Sequence, residues 1–479
     1  MRYPQSEGAL LRQSPLAKAA LTVEKGAGRL QSAIFETTIR LGVTGLSRAG
    51  KTIFITSLVE NLLNRDRMLN LKSAHRIEAA YLQPQPDKTV PRFPIEEHLH
   101  VLSGSKPQWP QSTRSISQLR VSLRVRSEGL LSGFRGSRTI HIDIVDYPGE
   151  WLLDLPLMDL DFGAWSKAAL ASAKAYRVNP QTSAFLKELE TVDPAAPFDE
   201  ALAQQLSELF TEHLRHARMQ GYSSLAPGRF LMPGDLAGAP VMMFAPLPSG
   251  RGGRGSFAAE MEARFEAYKK RVVTPFYRDH FARLDRQIVL LDVLDALDQG
   301  PAALADMQKA IGEVLESFRV GKNSVLTRFL TRRIDRILLA ATKADHIHHT
   351  QHPQLTTFVQ ALVRRAKEKA DYKGAQTRSM AVASFRSTTE ATRAHQGKEL
   401  GMVEGRVHPS GALSASFPGD LPTDPGILFA DARDGKDDWS ELTFDLTRFL
   451  PPIGGHNTRG GLPHIRLDEA AEFLLGDIL

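Results

Sequence analysis

The chain has 479 residues, with 60 lysines and arginines against 54 aspartates and glutamates, so its formal net charge is +6. It has no cysteine, which excludes disulfides, thiolate zinc sites, iron–sulfur clusters and a cysteine nucleophile. No apolar run approaches the roughly 18 residues of a membrane-spanning helix, and no secretory signal is recognisable. We therefore expect a cytoplasmic protein, whose basic charge allows peripheral association with a membrane; binding to nucleic acid is not expected.

The most specific segment begins with a predicted strand, in which the apolar residues Ile39, Leu41 and Val43 alternate. It continues as G-x-x-x-x-G-K-T and then as a predicted helix, which is the context of a phosphate-binding P-loop. The backbone N–H groups and the helix N-terminus would face phosphate oxygens. Lys51 would reach the β- and γ-phosphates, and Thr52 would bind Mg²⁺. The predicted nucleotide-binding residues of this loop are Gly45, Ser47, Arg48, Ala49, Gly50, Lys51, Thr52 and Ile53.

Two further strands with period-two alternation are predicted at 119–125 and 140–144, as an antiparallel pair on the edge of an otherwise parallel sheet. The second strand ends in the sequence D-Y-P-G-E, which contains the D-x-x-G arrangement of P-loop GTPases. Asp146 would hold Mg²⁺, and the Gly149 N–H would sense the γ-phosphate. Glu150 stands where Ras-type enzymes carry a water-orienting glutamine, and its negative charge predicts slow hydrolysis. A plain turn is the alternative interpretation.

A switch I threonine is expected shortly before the first strand of this pair, with its hydroxyl on Mg²⁺ in the triphosphate state. We select Thr113, with Ser112 and Ser115 as nearby competitors and a surface turn as the alternative interpretation. Arg114 is a candidate for an arginine that acts in cis on the transition state. The predicted catalytic residues are Lys51, Thr113, Gly149 and Glu150, and the predicted Mg²⁺ ligands are Thr52, Thr113 and Asp146.

Two nearly continuous apolar runs, at 287–294 and 336–341, predict buried parallel strands. The second run leads into the sequence T-K-A-D, which begins at Thr342 and is similar to the N/T-K-x-D guanine motif. Asp345 would accept hydrogen bonds from the guanine N1–H and 2-amino groups, which adenine does not offer. The Lys343 stem would pack along the base plane. A helix N-cap after a strand is the alternative interpretation of this motif.

A short strand predicted at 380–383 precedes Ser384 and Phe385, at the place where GTPases carry a loop whose backbone contacts the guanine O6. We therefore include Ser384 and Phe385 among the nucleotide-binding residues. Four histidines follow the base motif, and we favour structural or capping roles for them over a metal site. They are His346, His348, His349 and His352.

The order of the motifs predicts an α/β chain with a Ras-like P-loop NTPase fold: a mostly parallel sheet, an antiparallel edge hairpin, a large helical insertion after switch II and a C-terminal extension. The spacings are longer than in a compact GTPase, so the nucleotide domain is interrupted. We predict a first part of this domain at 30–150 with an irregular insertion at 84–112, a helical insertion at 151–280, a second part at 281–394, and an extension with short β pieces and a terminal helix at 395–479.

Four segments resemble the bacterial YcjX-like family: residues 41–58, residues 146–154, residues 342–349 and residues 461–468. The resemblance covers most of the chain, from about residue 30 onward. It implies a P-loop GTPase that binds GTP or GDP with Mg²⁺ and is associated with the bacterial stress response. The residues to which it assigns nucleotide and Mg²⁺ roles are Gly45, Lys51, Thr52, Thr113, Asp146, Gly149 and Asp345.

The leading hypothesis is a Mg²⁺-dependent, guanine-nucleotide-controlled switch that hydrolyses GTP at about 10⁻⁴–10⁻² s⁻¹. Its helical insertion would bind a protein partner that the sequence does not identify. A P-loop ATPase or kinase is the second hypothesis, because the P-loop alone does not separate adenine from guanine. The third is an adaptor that holds nucleotide without significant hydrolysis.

Overall fold

A computed structural model describes residues 36–46, 48–111, 113, 115–126, 137–176, 179–248, 252–318, 334–395, 398–436, 438–454 and 460–479. A seven-stranded sheet lies at its centre. Its strands are β1 (Glu36–Gly45), β2 (Ile77–Gln83), β3 (Ser117–Arg126), β4 (Ser137–Asp146), β5 (Arg286–Leu291), β6 (Arg336–Ala341) and β7 (Gln376–Ala381). They are arranged in the order β2-β3-β4-β1-β5-β6-β7.

The sheet is mostly parallel, as the sequence predicts. Strands β4, β1, β5, β6 and β7 run parallel to one another, and β3 pairs antiparallel with β4 over ten residue pairs. This hairpin is not the outermost element, because β2 pairs antiparallel with β3 and forms the edge. Strand β2 is not among the predicted strands, because it is short, its side chains are mostly only half-buried, and its hydrophobic pattern is correspondingly weak.

The central strands are apolar on both faces because helices cover both sides of the sheet. Ile288 and Leu290 of β5 point into one hydrophobic layer, and Val289 and Leu291 point into the other. The α-helices, in chain order, are α1 (Lys51–Leu63), α2 (Ile95–Ser103), α3 (Phe162–Ala175), α4 (Pro180–Glu190), α5 (Glu200–Met219), α6 (Gly228–Leu231), α7 (Phe257–Tyr268), α8 (Thr274–Asp279), α9 (Val293–Gln299), α10 (Pro301–Ser317), α11 (His352–Leu362), α12 (Arg364–Tyr372), α13 (Gly426–Arg433) and α14 (Leu467–Leu475).

The stretch after β4 begins with a 3₁₀ segment, Gly149–Asp159, which we call the switch II segment. Helices α3, α4, α5 and α7 follow near the positions predicted for the helical insertion. The last helical stretch of the insertion is divided, because a π-helical turn at Lys269–Val273 separates α7 from α8. The aromatic rings of Trp165, Phe244 and Phe265 pack together inside the insertion.

The structure shows two features within the predicted segments that the sequence pattern does not indicate. The segment 84–112 is not irregular throughout, because α2 lies within it. A second, four-stranded sheet begins inside the predicted second part of the nucleotide domain. Its strands are β8 (Thr388–His395), β9 (Lys398–Val407), β10 (Leu413–Ser416) and β11 (Phe449–Leu450).

The terminal helix α14 returns to the central sheet rather than extending the second one. Its Leu467, Ala470 and Leu474 are buried in the same hydrophobic layer as Phe54 and Leu58 of α1. Among the residues that the structure describes, no helix combines the length and apolar character needed to cross a membrane.

Candidate nucleotide-binding site

The carboxyl ends of β1, β4, β5, β6 and β7 lie along one edge of the sheet, where loops of an open α/β sheet bind ligands. The P-loop follows β1 at this edge. Gly50 has a φ of 84°, which favours glycine, and it precedes the first residue of α1. Arg48 also has a positive φ of 60°. This backbone brings the N-terminus of a 13-residue helix to the sheet edge, where it favours an anion.

Lys51 is the first residue of α1, and its side chain folds back over the loop. Its Nζ donates a hydrogen bond to the Gly45 carbonyl at 2.9 Å. Burial lowers the pKa of Lys51, the nearby carboxylates of Glu150 and Asp146 oppose this effect, and the charge of Arg218 adds to it. The ammonium group therefore lies in a confined position in which a polyanionic phosphate would stabilise its charge. Ser47 lies outside the described residues.

The three predicted Mg²⁺ ligands meet beside the P-loop. The hydroxyl oxygens of Thr52 and Thr113 are 3.3 Å apart, although the two residues are 61 positions apart in the chain. Thr113 donates its hydroxyl to Asp146 Oδ2 at 2.7 Å. These are the hard oxygen ligands that Mg²⁺ prefers.

Asp146 fits a cation particularly well. Its carboxylate is buried, and among the described residues Oδ1 has no hydrogen-bond partner. Burial raises the pKa of Asp146 to about 6, although the Thr113 hydrogen bond and the charge of Lys51 act in the opposite direction. A divalent cation here would supply both the missing partner of Oδ1 and the charge that favours ionisation.

Gly149 brings the switch II segment into direct contact with the P-loop. A Cβ atom at this position would lie 1.8 Å from the Gly45 carbonyl oxygen and 2.9 Å from Lys51 Nζ. Only glycine allows this approach. It places the next residue, Glu150, at the end of the site formed by the P-loop and Asp146, which we call the phosphate end. Glu150 is buried, and its Oε1 lies 2.7 Å from the Arg218 guanidinium at the end of α5.

The switch II segment is held against the insertion by Asp154. This buried carboxylate accepts hydrogen bonds from the Gly228 N–H at 2.6 Å, the Tyr268 hydroxyl at 2.7 Å and the Arg229 N–H at 3.3 Å. Burial raises its pKa to about 6 against the effect of these hydrogen bonds. The Arg229 guanidinium lies 3.2 Å above the Trp151 ring centroid. Residues of two insertion helices, α6 and α7, thus contact one short segment.

At the other end of the site, the base motif follows β6. The Thr342 N–H donates to the Leu291 carbonyl at 2.9 Å, which ties the motif to the end of β5. Lys343 has a φ of 58°, and its ammonium group pairs with Asp292. Burial disfavours the charge of Lys343, but Asp292 outweighs this effect and the pKa of the lysine is raised.

Asp345 is buried and strongly hydrogen-bonded. Its Oδ2 accepts from the Ser387 N–H at 2.7 Å and from the Ser387 hydroxyl at 2.6 Å, and its Oδ1 lies 3.3 Å from His346 Nδ1. Burial opposes ionisation, but the charge of His346 and these hydrogen bonds outweigh it, so the pKa of Asp345 is lowered. A carboxylate offers about four lone-pair positions, so acceptor capacity remains for a base.

Ser384 and Phe385 lie in the loop after β7, and both are buried. The Phe385 ring packs edge-on against Trp109, with a centroid distance of 5.9 Å. The residue of this loop that contacts Asp345 is Ser387, which the sequence analysis did not select. A hydroxyl residue soon after the last strand is the signal that could have identified it.

A model of the YcjX-like family, DUF463, matches residues 39–479. The chain belongs to the YcjX-like family. It is similar to the protein named Ras-like GTPase YcjX of Escherichia coli (strain K12), with 36% identity over 457 residues that cover 92% of this chain and 96% of that protein. A protein of the same name from Shewanella oneidensis is 33% identical over 467 residues, which cover 92% of this chain and 94% of that protein. The predicted family resemblance is therefore confirmed.

Two arginines of this YcjX-like chain are candidates for contact with the phosphate end of the site, and the structure describes one of them. Arg114 and the competitor Ser112 lie outside the described residues. Arg218, which the sequence analysis did not select, contacts Glu150. It is one of two arginines on α5, and only the fold brings it to the switch II segment.

The four histidines after the base motif occupy different environments. His352 is buried, and its Nε2–H donates to the Ala344 carbonyl at 2.8 Å. His348 and His349 form, with Glu390, a group whose donor atoms lie within 4.8 Å of one another. However, His349 Nδ1 already contacts Glu390 at 2.8 Å, and a cation would have to displace this contact.

Proposed function

We propose that this YcjX-like protein binds GTP and GDP with Mg²⁺, hydrolyses GTP slowly, and uses the nucleotide state to change the position of its helical insertion. One observation carries this proposal. Residues predicted to bind phosphate, Mg²⁺ and guanine, which lie nearly 300 positions apart in the chain, meet along one edge of one sheet. The two relatives compared above, both named Ras-like GTPase YcjX, support the assignment of GTP as the ligand.

At the phosphate end, the P-loop N–H groups and Lys51 would bind the β- and γ-phosphates. Thr52, Thr113 and Asp146 would hold Mg²⁺, which neutralises phosphate charge when it is bound. Because Thr113 comes from switch I and Asp146 from the end of β4, this group would also order switch I in the triphosphate state.

Hydrolysis would depend on positioning rather than on covalent chemistry. The Gly149 N–H would contact the γ-phosphate, and Glu150 would orient the attacking water. A carboxylate next to a phosphoryl group adds negative charge, so we expect a turnover number of about 10⁻⁴–10⁻² s⁻¹. A basal turnover number well above 1 s⁻¹ would contradict this mechanism.

At the base end, Asp345 would accept hydrogen bonds from the guanine N1–H and 2-amino groups. Its contacts with Ser387 and His346 fix the carboxylate before the ligand arrives, which reduces the ordering cost of binding. The Lys343 stem would cover one face of the base, with its ammonium group held by Asp292.

The contacts of Asp154 with the insertion support a switch function. Because switch II contacts the γ-phosphate in GTPases, loss of this phosphate would move the segment to which the insertion is hydrogen-bonded. We propose that a protein partner binds the insertion and distinguishes these states, and that the pathway is a bacterial stress response.

The test is a titration of the full chain with GTP, GDP and ATP, with and without Mg²⁺, followed by single-turnover phosphate release. We expect tight binding of both guanine nucleotides, a strong Mg²⁺ dependence for GTP, and slow release of phosphate. Equal affinity for ATP and GTP would replace this proposal with an ATPase or kinase. Tight GTP binding without phosphate release would replace it with a nucleotide-bound adaptor.

A further inference from the structure

We propose that Arg218, which lies on the helical insertion, is an arginine in cis that contacts the γ-phosphate of GTP and stabilises the transition state of hydrolysis. This inference rests on the proposed GTPase function and names a further catalytic residue for it. In the structure described here, the guanidinium is paired instead with Glu150, whose Oε1 lies 2.7 Å away.

Arg218 lies close to the groups at the phosphate end of the site. Glu150 directly follows Gly149, whose backbone lies against the Gly45 carbonyl and Lys51 Nζ. The Arg218 charge is close enough to Lys51 to act on its ionisation, alongside Glu150 and Asp146. The guanidinium therefore lies next to the groups that would bind the γ-phosphate.

The helix that carries Arg218 and the space beside it favour a cation directed at the P-loop. It lies in the last turn of α5, where the helix dipole favours a cation. A cavity of about 170 Å³ lies beside it, between the P-loop, the switch II segment and the insertion. The side chain thus borders open space that extends to the P-loop residues Leu46 and Arg48. Residues lining this cavity include Leu46, Arg48, Glu150, Arg218 and Tyr222.

The charge of Arg218 compensates that of Glu150. The side chains of Glu150 and Arg218 are only 6% and 23% exposed, so their interaction is weakly screened by water. Without Arg218, Glu150 would place an uncompensated carboxylate beside a triphosphate. A guanidinium has five N–H donors in a planar fork, so it can contact the Glu150 carboxylate and a phosphate oxygen together.

In the reaction, the oxygen of water forms a bond to the γ-phosphorus as the bond to the β–γ bridging oxygen breaks. The electron pair of the broken bond leaves with GDP, and the proton of water passes to the inorganic phosphate. Negative charge on the transferring group and on the bridging oxygen is stabilised by the Arg218 guanidinium. Glu150 meanwhile orients the water and holds the arginine in place.

The test compares Arg218→Ala and Arg218→Lys with the matched control Arg215→Ala in the full chain. Arg215 lies on the same helix and is more exposed, and it pairs with Glu212. We expect Arg218→Ala to slow single-turnover hydrolysis roughly 10²-fold or more, with GTP and GDP affinities changed less than about threefold. Arg218→Lys should retain part of the rate, and Arg215→Ala should match the unchanged chain.

A second readout separates catalysis from a structural role. We expect GDP with aluminium fluoride, an analogue of the transition state, to bind the unchanged chain and Glu150→Gln but not Arg218→Ala. Equal loss in Glu150→Gln and Arg218→Ala would assign the pair a structural role and overturn the inference. Unchanged hydrolysis in Arg218→Ala would also overturn it. If the unchanged chain binds GTP but releases no phosphate, the proposed function itself fails.

Discussion

At the two ends of the proposed nucleotide site, the pKa values of buried carboxylates are shifted in opposite directions. At the phosphate end, burial raises the pKa of Asp146 to about 6, and it raises the pKa of Asp154, at the adjoining contact between switch II and the insertion, to about 6 as well. At the base end, burial acts on Asp345 as well, but the charge of His346 and the hydrogen bonds from His346 and Ser387 outweigh it and lower the pKa. The base end is therefore already organised for its ligand, whereas the phosphate end carries charges whose compensation depends on what binds there.

This difference indicates how the two ends would contribute to function. A preorganised base end discriminates between ligands at little ordering cost. A phosphate end with incompletely compensated charges responds strongly to the addition or loss of phosphate and cation. The predictions below test this division of roles.

The largest expected effect is that of Lys51→Ala, which removes the buried cation at the phosphate end. Lys51 would contact both the β- and the γ-phosphate, and each hydrogen bond to a charged group contributes about 1.5–3 kcal/mol. GTP should therefore bind at least about 10²-fold more weakly in a fluorescent-nucleotide titration. Lys187→Ala, at an exposed position of α4, is the control. Binding within threefold of the unchanged chain would show that Lys51 does not contact the phosphates.

The next effect is on base selectivity, through Asp345→Asn. We expect GTP affinity to fall about 10²-fold, because two hydrogen bonds to the charged acceptor are lost. Xanthosine triphosphate should gain affinity, because the asparagine amide can donate to the xanthine 2-carbonyl. Affinities for GTP and xanthosine triphosphate that both stay unchanged would remove Asp345 from base recognition.

A smaller effect concerns pH and Asp154 at the contact between switch II and the insertion. The folded pKa of about 6 lies above the ordinary value of 3.8, so the folded state holds the extra proton between these values. The stabilising contribution of this group is therefore complete below about pH 4 and is lost as the pH rises through about 6.

Asp154→Asn removes this titration. We expect the melting temperature of the variant, relative to that of the unchanged chain, to be higher at pH 7.5 than at pH 4.5 by about 2–4 °C. Tyr268→Phe removes a hydrogen bond that opposes the effect of burial, so it should move the transition to higher pH. A difference independent of pH would contradict the raised pKa of Asp154.

The smallest effect is expected for Ser387→Ala, which removes one hydroxyl donor to Asp345 but retains the backbone N–H donor. We expect a loss of about 1–1.5 kcal/mol in guanine-nucleotide binding, or roughly 5–10-fold. Ser414→Ala, at an exposed position of β10, is the matched control. A loss as large as that of Asp345→Asn would mean that the base end is not preorganised by several independent contacts.

The features that could be predicted from the sequence are those set by local pattern. The P-loop is a contiguous strand, turn and helix, so its residues and their spacing predict its structure directly. The buried strands β5 and β6 follow from short apolar runs. The meeting of Thr52, Thr113 and Asp146 could be predicted because the D-x-x-G and P-loop motifs fix two of the three positions.

The features that could not be predicted depend on contacts between distant segments. Nothing in the helical pattern of α5 distinguishes Arg218 from Arg215, since both lie on a polar stretch of the helix. Asp154 is one acid in a run of apolar residues, and its partners Gly228 and Tyr268 become its neighbours only when the insertion folds. The strand β2 was missed for a similar reason, because its edge position leaves little hydrophobic pattern.

The hydrogen bonds that Asp154 accepts from Gly228, Arg229 and Tyr268 have a consequence for any partner of the insertion. If a partner binds the GTP-bound form more tightly by some factor, thermodynamic reciprocity requires the same factor in the preference of the protein for GTP over GDP. A partner that never touches the nucleotide would in this way set which nucleotide the protein retains. Under this proposal, the insertion would influence the nucleotide site as much as the nucleotide site would influence the insertion.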